Sequence, residues 1–299
     1  MRLKILLNAA GGSAGDAGLP GRIASAFTRH GVTAEVVSLP GPALQAAAQE
    51  ALEGGYDGVV AGGGDGTINA VAGVLAGSGR PFGVLPLGTL NHFARDLGMP
   101  RDLEEAVAVI AAGATRPVDV ATVNGRTFVN NSSVGLYADM VADRDRRRRQ
   151  RGWRKGPAML IAAWRAFRRF ARRRLVVRAE GQQQVLRSPL VFIGNNLYET
   201  SLPRPGTRAA LDRGELCLCV AKHQSRLGLL RMGLRAMLGR LRDERDLVYS
   251  SVTAVEIDSR LPVLRVSFDG EVTTMAPPLR YRSLPGELLV FAPKAEKAG

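Results

Sequence analysis

Tyr56-Asp57-Gly58-Val59-Val60-Ala61-Gly62-Gly63-Gly64-Asp65-Gly66-Thr67-Ile68-Asn69-Ala70-Val71 decides how this chain is read. A β-branched apolar run ends in three glycines, an aspartate interrupts them, a fourth glycine follows, and a helical pattern opens at about Thr67. Glycines let the backbone approach a ligand closely, and the unpaired N–H groups of a new helix favour an anion such as phosphate. No Lys-Ser or Lys-Thr follows, so this is not a Walker loop; Thr67 stands where G-x-G-x-x-G requires glycine. The competing structural reading is a glycine turn capped by Asp65.

Working outward, a second turn of the same kind follows at Gly83-Val84-Leu85-Pro86-Leu87-Gly88-Thr89-Leu90-Asn91-His92-Phe93-Ala94. Apolar runs at 5–7, 36–39, 59–61 and 82–85 alternate with helical patterns at 22–29, 43–52, 68–75 and 103–111. Such alternation predicts βαβ units in a doubly wound parallel sheet, whose ligands sit at the carboxyl ends of the strands. The turns 62–67 and 88–91 are therefore expected to face each other across a ligand. From Thr122 the pattern changes to short β-rich runs at 127–130, 175–179, 189–193, 215–221, 252–257, 263–268 and 288–291. These predict an antiparallel sandwich, interrupted by helical patterns at 157–174 and 227–241. Two domains are expected, 1–121 and 122–299, with a cleft between them and the last residues packing back on the first domain.

Residues 144–178 hold 15 Lys and Arg against one acid, Asp145, which alone equals the +14 net charge of all 299 residues. Anionic lipid, nucleic acid and nucleotide phosphate all suit such a block, as does a plain solvated face. Within it a helix over 157–175 sets Leu160, Trp164, Phe167 and Ala171 on one face and Arg165, Arg168, Arg169 and Arg172 on another. That pattern suits an anionic bilayer surface as well as packing on the second domain. No run of 18 apolar residues exists. Cys217 and Cys219 point to one strand face, about 6–7 Å apart, which disfavours a disulfide and suits a reducing cytoplasm.

Gly63-Gly64-Asp65-Gly66-Thr67 with Pro86-Leu87-Gly88-Thr89-x-Asn91-x-Phe93-Ala94 resembles the catalytic domain of bacterial diacylglycerol kinases, YegS-type lipid kinases and sphingosine kinases, with NAD kinases as distant relatives. The resemblance implies a peripheral membrane kinase that takes ATP and Mg²⁺ and phosphorylates a lipid hydroxyl. It assigns ATP to Gly62, Gly63, Gly64, Gly66, Thr67, Gly88, Thr89 and Asn91, and to Asn8, Gly12 and Ser13, where Ala9 replaces the family's proline. His92 stands in place of an aspartate and receives no catalytic role. Arg149, Arg151 and Lys155 resemble basic residues that meet nucleotide phosphates, and Asp269 of Asp269-Gly270-Glu271 is placed with them.

Asp-Gly alone is a common hairpin turn; the resemblance makes it part of the site. Asp65 and Glu271 are then the pair for Mg²⁺ and hydroxyl activation, with Glu271 preferred as base. Asn131, Gly135 and Asp139 are expected beside the lipid headgroup. Asp212 resembles a structural-metal ligand, although Arg213 replaces a second acid there. Three rivals stand beside the lipid kinase: an NAD-type small-molecule kinase, a nucleic-acid binder and a catalytically silent nucleotide module. Nucleic acid accounts for the arginines but not for Asp65 and Glu271, and oligomeric state is open.

Overall fold

The computed structural model describes residues 1–10, 16–135, 138, 139, 141, 173–188, 190–199, 207–221, 227, 228, 231 and 247–293. Gly12, Ser13, Arg149, Arg151, Lys155 and the arginines of the expected basic helix lie outside them, as does most of 227–241. The chain divides into two compact units: residues 1–120, 210–213 and 284–299 form unit 1, and residues 121–209 and 214–283 form unit 2.

Unit 1 runs β1 (Arg2–Asn8), α1 (Leu19–Arg29), β2 (Thr33–Leu39), α2 (Leu44–Glu53), β3 (Gly58–Gly63), α3 (Asp65–Leu75), β4 (Phe82–Pro86), α4 (His92–Asp96) and α5 (Leu103–Ala111), followed by β5 (Thr115–Val123). The last strand of the chain, β16 (Leu279–Phe291), ends here. Strand order is β2-β1-β3-β4-β16, all parallel. β3 is buried at all six positions, the continuous apolar signature of a strand covered on both faces. The chain moves from β1 outward to β2, then crosses to β3 on the other side, so the order reverses between β1 and β3. Ligands of open α/β sheets bind at that crevice.

Unit 2 is an antiparallel sandwich. One sheet joins the first half of β16 to β13 (Ala254–Ser259), β8 (Arg173–Ala179) and β9 (Gln182–Ser188), with β5 pairing β16 and β6 (Arg126–Phe128). The other has the order β12 (Leu247–Val252), β11 (Leu216–Ala221), β10 (Leu190–Asn195), β7 (Asn131–Gly135), β14 (Leu264–Phe268) and β15 (Glu271–Met275). Phe128, Val177, Ile257 and Tyr281 of the first sheet pack on Val134, Ile193, Leu218 and Phe268 of the second. Tyr281 also bridges the sheets by a hydrogen bond with Ser132, 3.1 Å.

Several sequence expectations are corrected. The run 127–130 is not one strand: β6 ends at Phe128 and β7 begins only at Asn131, because residues 129 and 130 carry the chain from one sheet to the other. Arg173 and Arg174, expected at the end of a helix, open strand β8. β16 is far longer than 288–291: its Leu279-Arg280-Tyr281-Arg282 alternates buried and exposed. It continues through Pro285-Gly286 because buried Asp119 accepts the Gly286 N–H at 2.9 Å. Cys217 and Cys219 are both buried thiols on one face of β11, not joined by a disulfide, and burial pushes the Cys217 thiol up.

Candidate functional site

In unit 1 the carboxyl ends of β1, β3 and β4 carry Asn8, Gly63 and Pro86. Asn8 Nδ2 donates to Thr67 Oγ1 at 2.9 Å and its Oδ1 accepts the Ala10 N–H at 3.0 Å. One side chain thus joins the end of β1 to the first turn of α3 across the crevice where the strand order reverses. α3 starts from Gly64 and, unlike α5, where Asp102 accepts the amides of Glu104 and Glu105, has no side-chain cap. Asp65 is its first residue rather than its cap. Ile68 N–H is the first amide to reach back, to Gly64 O at 3.1 Å, so those of Asp65, Gly66 and Thr67 are the open donors of the turn.

The two glycine turns meet. A Cβ on Gly88 would lie 2.5 Å from Gly64 Cα, and one on Gly63 would lie 2.6 Å from Thr67 Oγ1. A Cβ on Gly64 would find nothing nearer than Gly88 Cα at 3.8 Å. A side chain would therefore fit at Gly64, while Gly63 and Gly88 are glycines because protein fills the place of a side chain. Asn91, at φ 50°, holds the second turn: its Nδ2 donates to Pro86 O and Gly88 O, and its Oδ1 accepts the Gly88 N–H at 3.0 Å. Expected as an ATP contact, Asn91 has its amide occupied by its own turn and contributes shape. Thr89 beside it is exposed. Asp65 Oδ1 accepts the Phe93 N–H of α4 at 3.4 Å, tying the start of α3 to α4.

In unit 2, Asp269 and Gly270 form the two-residue loop between β14 and β15, with φ 46° and 85°. Two positive φ values make a type I′ hairpin turn. The Asp269 carboxylate is buried and accepts three amides: Val129 N–H at 2.8 Å, and Asn130 and Asn131 N–H at 2.9 Å each. Burial pushes Asp269 up to about 6, against these donors and the nearby Arg208. Asp269 was expected to meet nucleotide; its carboxylate is instead committed to the backbone where the chain changes sheets. On the other side of that segment Arg208, also buried, donates to Val129 O at 2.6 Å, Asn195 O at 3.1 Å and Asn130 Oδ1 at 2.9 Å. Tyr198 and Asn195 donate to Asn130 O and Val129 O, both at 3.1 Å.

This clamp fixes the turn from which Glu271 projects, exposed, at the first position of β15. Sequence reading missed Arg208, Asn130, Asn195 and Tyr198. The Asn130-Asn131 and Asn195-Asn196 pairs at or just past the ends of strand-like runs were the available signal, since strands are poor in asparagine. Asn131 adjoins Asp269, but Gly135 lies four residues further along β7, about 13 Å by strand rise. Asp139 is ion-paired with Arg265 of β14 at 3.0 Å. Asn131, Gly135 and Asp139 thus follow β7 away from the turn rather than cluster at Glu271.

Among the described residues no group of three or more His, Cys, Asp or Glu side chains could hold a metal. Asp212 is exposed on the 210–213 stretch of unit 1, with no such set around it. Asp65 alone offers one carboxylate, a donor set that fits Mg²⁺ arriving on nucleotide phosphates with its own waters. A groove of about 410 Å³ in unit 2, walled by Arg178, Glu256, Arg280 and Arg282, contains none of the candidate residues.

Two family models match: the diacylglycerol kinase catalytic domain over residues 2–123, and the YegS C-terminal NAD kinase beta sandwich-like domain over 133–292. A probable lipid kinase YegS-like protein of Chromohalobacter salexigens is 32% identical over 256 residues, 83% of this chain and 79% of that one. One from Klebsiella pneumoniae is 47% identical over 90 residues, 29% of this chain and 30% of its own length. A diacylglycerol kinase of Bacillus subtilis matches over 33% of its length, at 44% identity across 100 residues, 32% of this chain. The crystal structure of a putative diacylglycerol kinase from Bacillus anthracis superposes with a TM-score of 0.76 at 20% identity, covering 98% of this chain and 96% of that one.

Proposed function

The chain belongs to the diacylglycerol kinase and YegS-like lipid kinase family, and from that premise we propose that it transfers the terminal phosphate of ATP to the hydroxyl of a lipid, diacylglycerol or a close relative. The observation that carries this reading is the uncapped first turn of α3, set where the strand order reverses, with room for a side chain at Gly64 and with Gly88 of the second turn packed against it.

In this reading the amides of Asp65, Gly66 and Thr67 donate to phosphate oxygens, and the Gly88 turn limits where the phosphate tail lies. Bound Mg²⁺ would neutralise charge that gathers on the transferring group, and Asp65 is the carboxylate placed to hold it. Glu271 takes the proton of the lipid hydroxyl as its oxygen bonds to the terminal phosphorus. The bond from that phosphorus to the bridging oxygen breaks, and ADP leaves with the electron pair. The Asp269 and Arg208 clamp keeps the Glu271 turn in one geometry, which matters because positioning supplies much of the rate of phosphoryl transfer.

A lipid acceptor makes the enzyme a peripheral visitor to the cytoplasmic face of a membrane. Among the described residues no helix is long and apolar enough to cross one. The test is to incubate purified protein with ATP, Mg²⁺ and diacylglycerol-bearing vesicles, and separately with NAD, and to identify products by mass spectrometry. Phosphorylated lipid is the expected result. Phosphorylated NAD with no lipid product would replace this reading with that of a soluble-substrate kinase.

A further inference from the structure

α4 carries a chain of three polar side chains that no step of the reaction above uses: His92, Arg95 and Asp96. The Asp96 side chain is 1% exposed, and its Oδ1 lies 3.4 Å from both Nε and Nη2 of Arg95. Arg95 Nη2 in turn lies 3.3 Å from His92 Nδ1. A guanidinium only donates, so Nδ1 is the acceptor and the hydrogen of the imidazole falls on Nε2. The ring is half-buried, yet Nε2 has no hydrogen-bond partner among the described residues. The chain fixes one tautomer and leaves one donor to spare.

That donor stands beside the phosphate turn of unit 1. The residue before His92 is Asn91, which closes the second glycine turn, and Gly88 of that turn is packed against Gly64. The residue after it, Phe93, donates its N–H to Asp65 Oδ1 at 3.4 Å. Covalent geometry sets the His92 Cα about 2.4 Å from the Phe93 nitrogen, hence within about 6 Å of the Asp65 carboxylate. Helix side chains lean toward the N-terminal end, and Arg95 reaching back to His92 follows that rule, so the row leans toward Asn91 and the start of α3. Charge gives the donor a purpose. Residues 62–69 and 86–98, which build both turns, hold Asp65 and Asp96 against one cation, Arg95. A polyphosphate arriving there meets more negative than positive charge, so each N–H turned toward it matters.

We propose that His92 is a phosphate-binding residue, whose Nε2–H donates to an oxygen of the terminal phosphate held by the first turn of α3. Arg95 is its positioning residue: anchored by Asp96, it fixes the tautomer and polarises the ring, and hydrogen bonds linked in this way strengthen one another. The identity of the phosphate rests on the lipid-kinase reading above; the chain of Asp96, Arg95 and His92 does not.

Calorimetric titration of the purified protein with a non-hydrolysable ATP analogue and Mg²⁺, and separately with AMP, tests this. His92→Phe keeps a flat ring without the donor and should bind the analogue about tenfold to hundredfold more weakly, the loss expected for one hydrogen bond to a charged group. AMP lacks the terminal phosphates and should bind parent and variant alike. Nitrogen-15 spectra of the histidine rings need no altered fold. The His92 signal, identified as the one missing from His92→Gln, should report hydrogen on Nε2 and should move when the analogue is added. Arg95→Met should return that ring to a mixture of tautomers; a ring that keeps its hydrogen on Nε2 there would remove Arg95 from the account. Equal affinity of parent and His92→Phe for the analogue, an equal loss for AMP, or a His92 signal that ignores the analogue would overturn the proposal and leave the kinase reading standing. A parent that binds no nucleotide would overturn both.

Discussion

Gly64 and Gly88 lie against each other, yet the structure assigns opposite consequences to enlarging them. Gly64 has φ −88° and ψ 179°, backbone that any residue adopts, and its added Cβ would meet only Gly88 Cα at 3.8 Å. Gly64→Ala should therefore fold with stability within about 0.5 kcal/mol of the parent, as ordinary surface changes do. The new methyl occupies the space assigned to phosphate. Losing even one charge-assisted amide contact there costs about 1.5–3 kcal/mol, roughly a tenfold to hundredfold rise in the dissociation constant for ATP. In Gly88→Ala the methyl starts 2.5 Å from Gly64 Cα and 2.6 Å from Asn91 Oδ1. Relieving the first contact to an ordinary 3.5 Å separation moves one turn by about 1 Å and costs about 1–3 kcal/mol. A shift of that size should lower kcat by about a hundredfold as well. Calorimetric titration with a non-hydrolysable ATP analogue, beside thermal unfolding, separates the two variants. Unaltered nucleotide affinity in a folded Gly64→Ala protein would refute the placement of phosphate over Gly64.

Asp65→Asn should abolish lipid phosphorylation with the melting temperature retained, and Glu271→Gln should lower kcat more than it changes KM for ATP; steady-state kinetics on both variants check this. Asp269 binds its proton more tightly folded than unfolded, rising from 3.8 to about 6. The fold therefore holds this group's full contribution below about pH 4 and loses about 3 kcal/mol as pH rises through about 6. Urea melts across that range should show the slope, and Asp269→Asn should flatten it. Arg208→Lys keeps the charge but not the three-way fork, and should lower the unfolding free energy read from urea melts by about 2–3 kcal/mol; Arg208→Ala, which leaves Asp269 buried without its cation, should cost about 3–5 kcal/mol.

The parallel half was legible because its strands are continuous apolar runs and its helices are rich in alanine. Strand, glycine turn and helix follow one another at Val59 to Thr67 without any help from tertiary structure. The sandwich was legible as a class but not strand by strand. β9, Gln182–Ser188, is an edge strand with little apolar signal, and β16 contains Pro285-Gly286, which reads as a break until Asp119 is seen to bridge it. At the candidate site, the two glycine turns were legible as turns between strand and helix, whereas the clamp under Glu271 was invisible. Asp269, Arg208 and Asn130 are distant in sequence and meet only because the chain changes sheets at residues 129 and 130. A carboxylate in an Asp-Gly turn looks the same whether it faces a ligand or three buried amides.

The most direct test of the account is a crystal structure with a non-hydrolysable ATP analogue and Mg²⁺. The account predicts the terminal phosphates over Gly64, within hydrogen-bonding reach of the Asp65, Gly66 and Thr67 amides, with the metal on Asp65. Phosphates seated in the groove of Arg178, Arg280 and Arg282, or anywhere away from the first turn of α3, would contradict it.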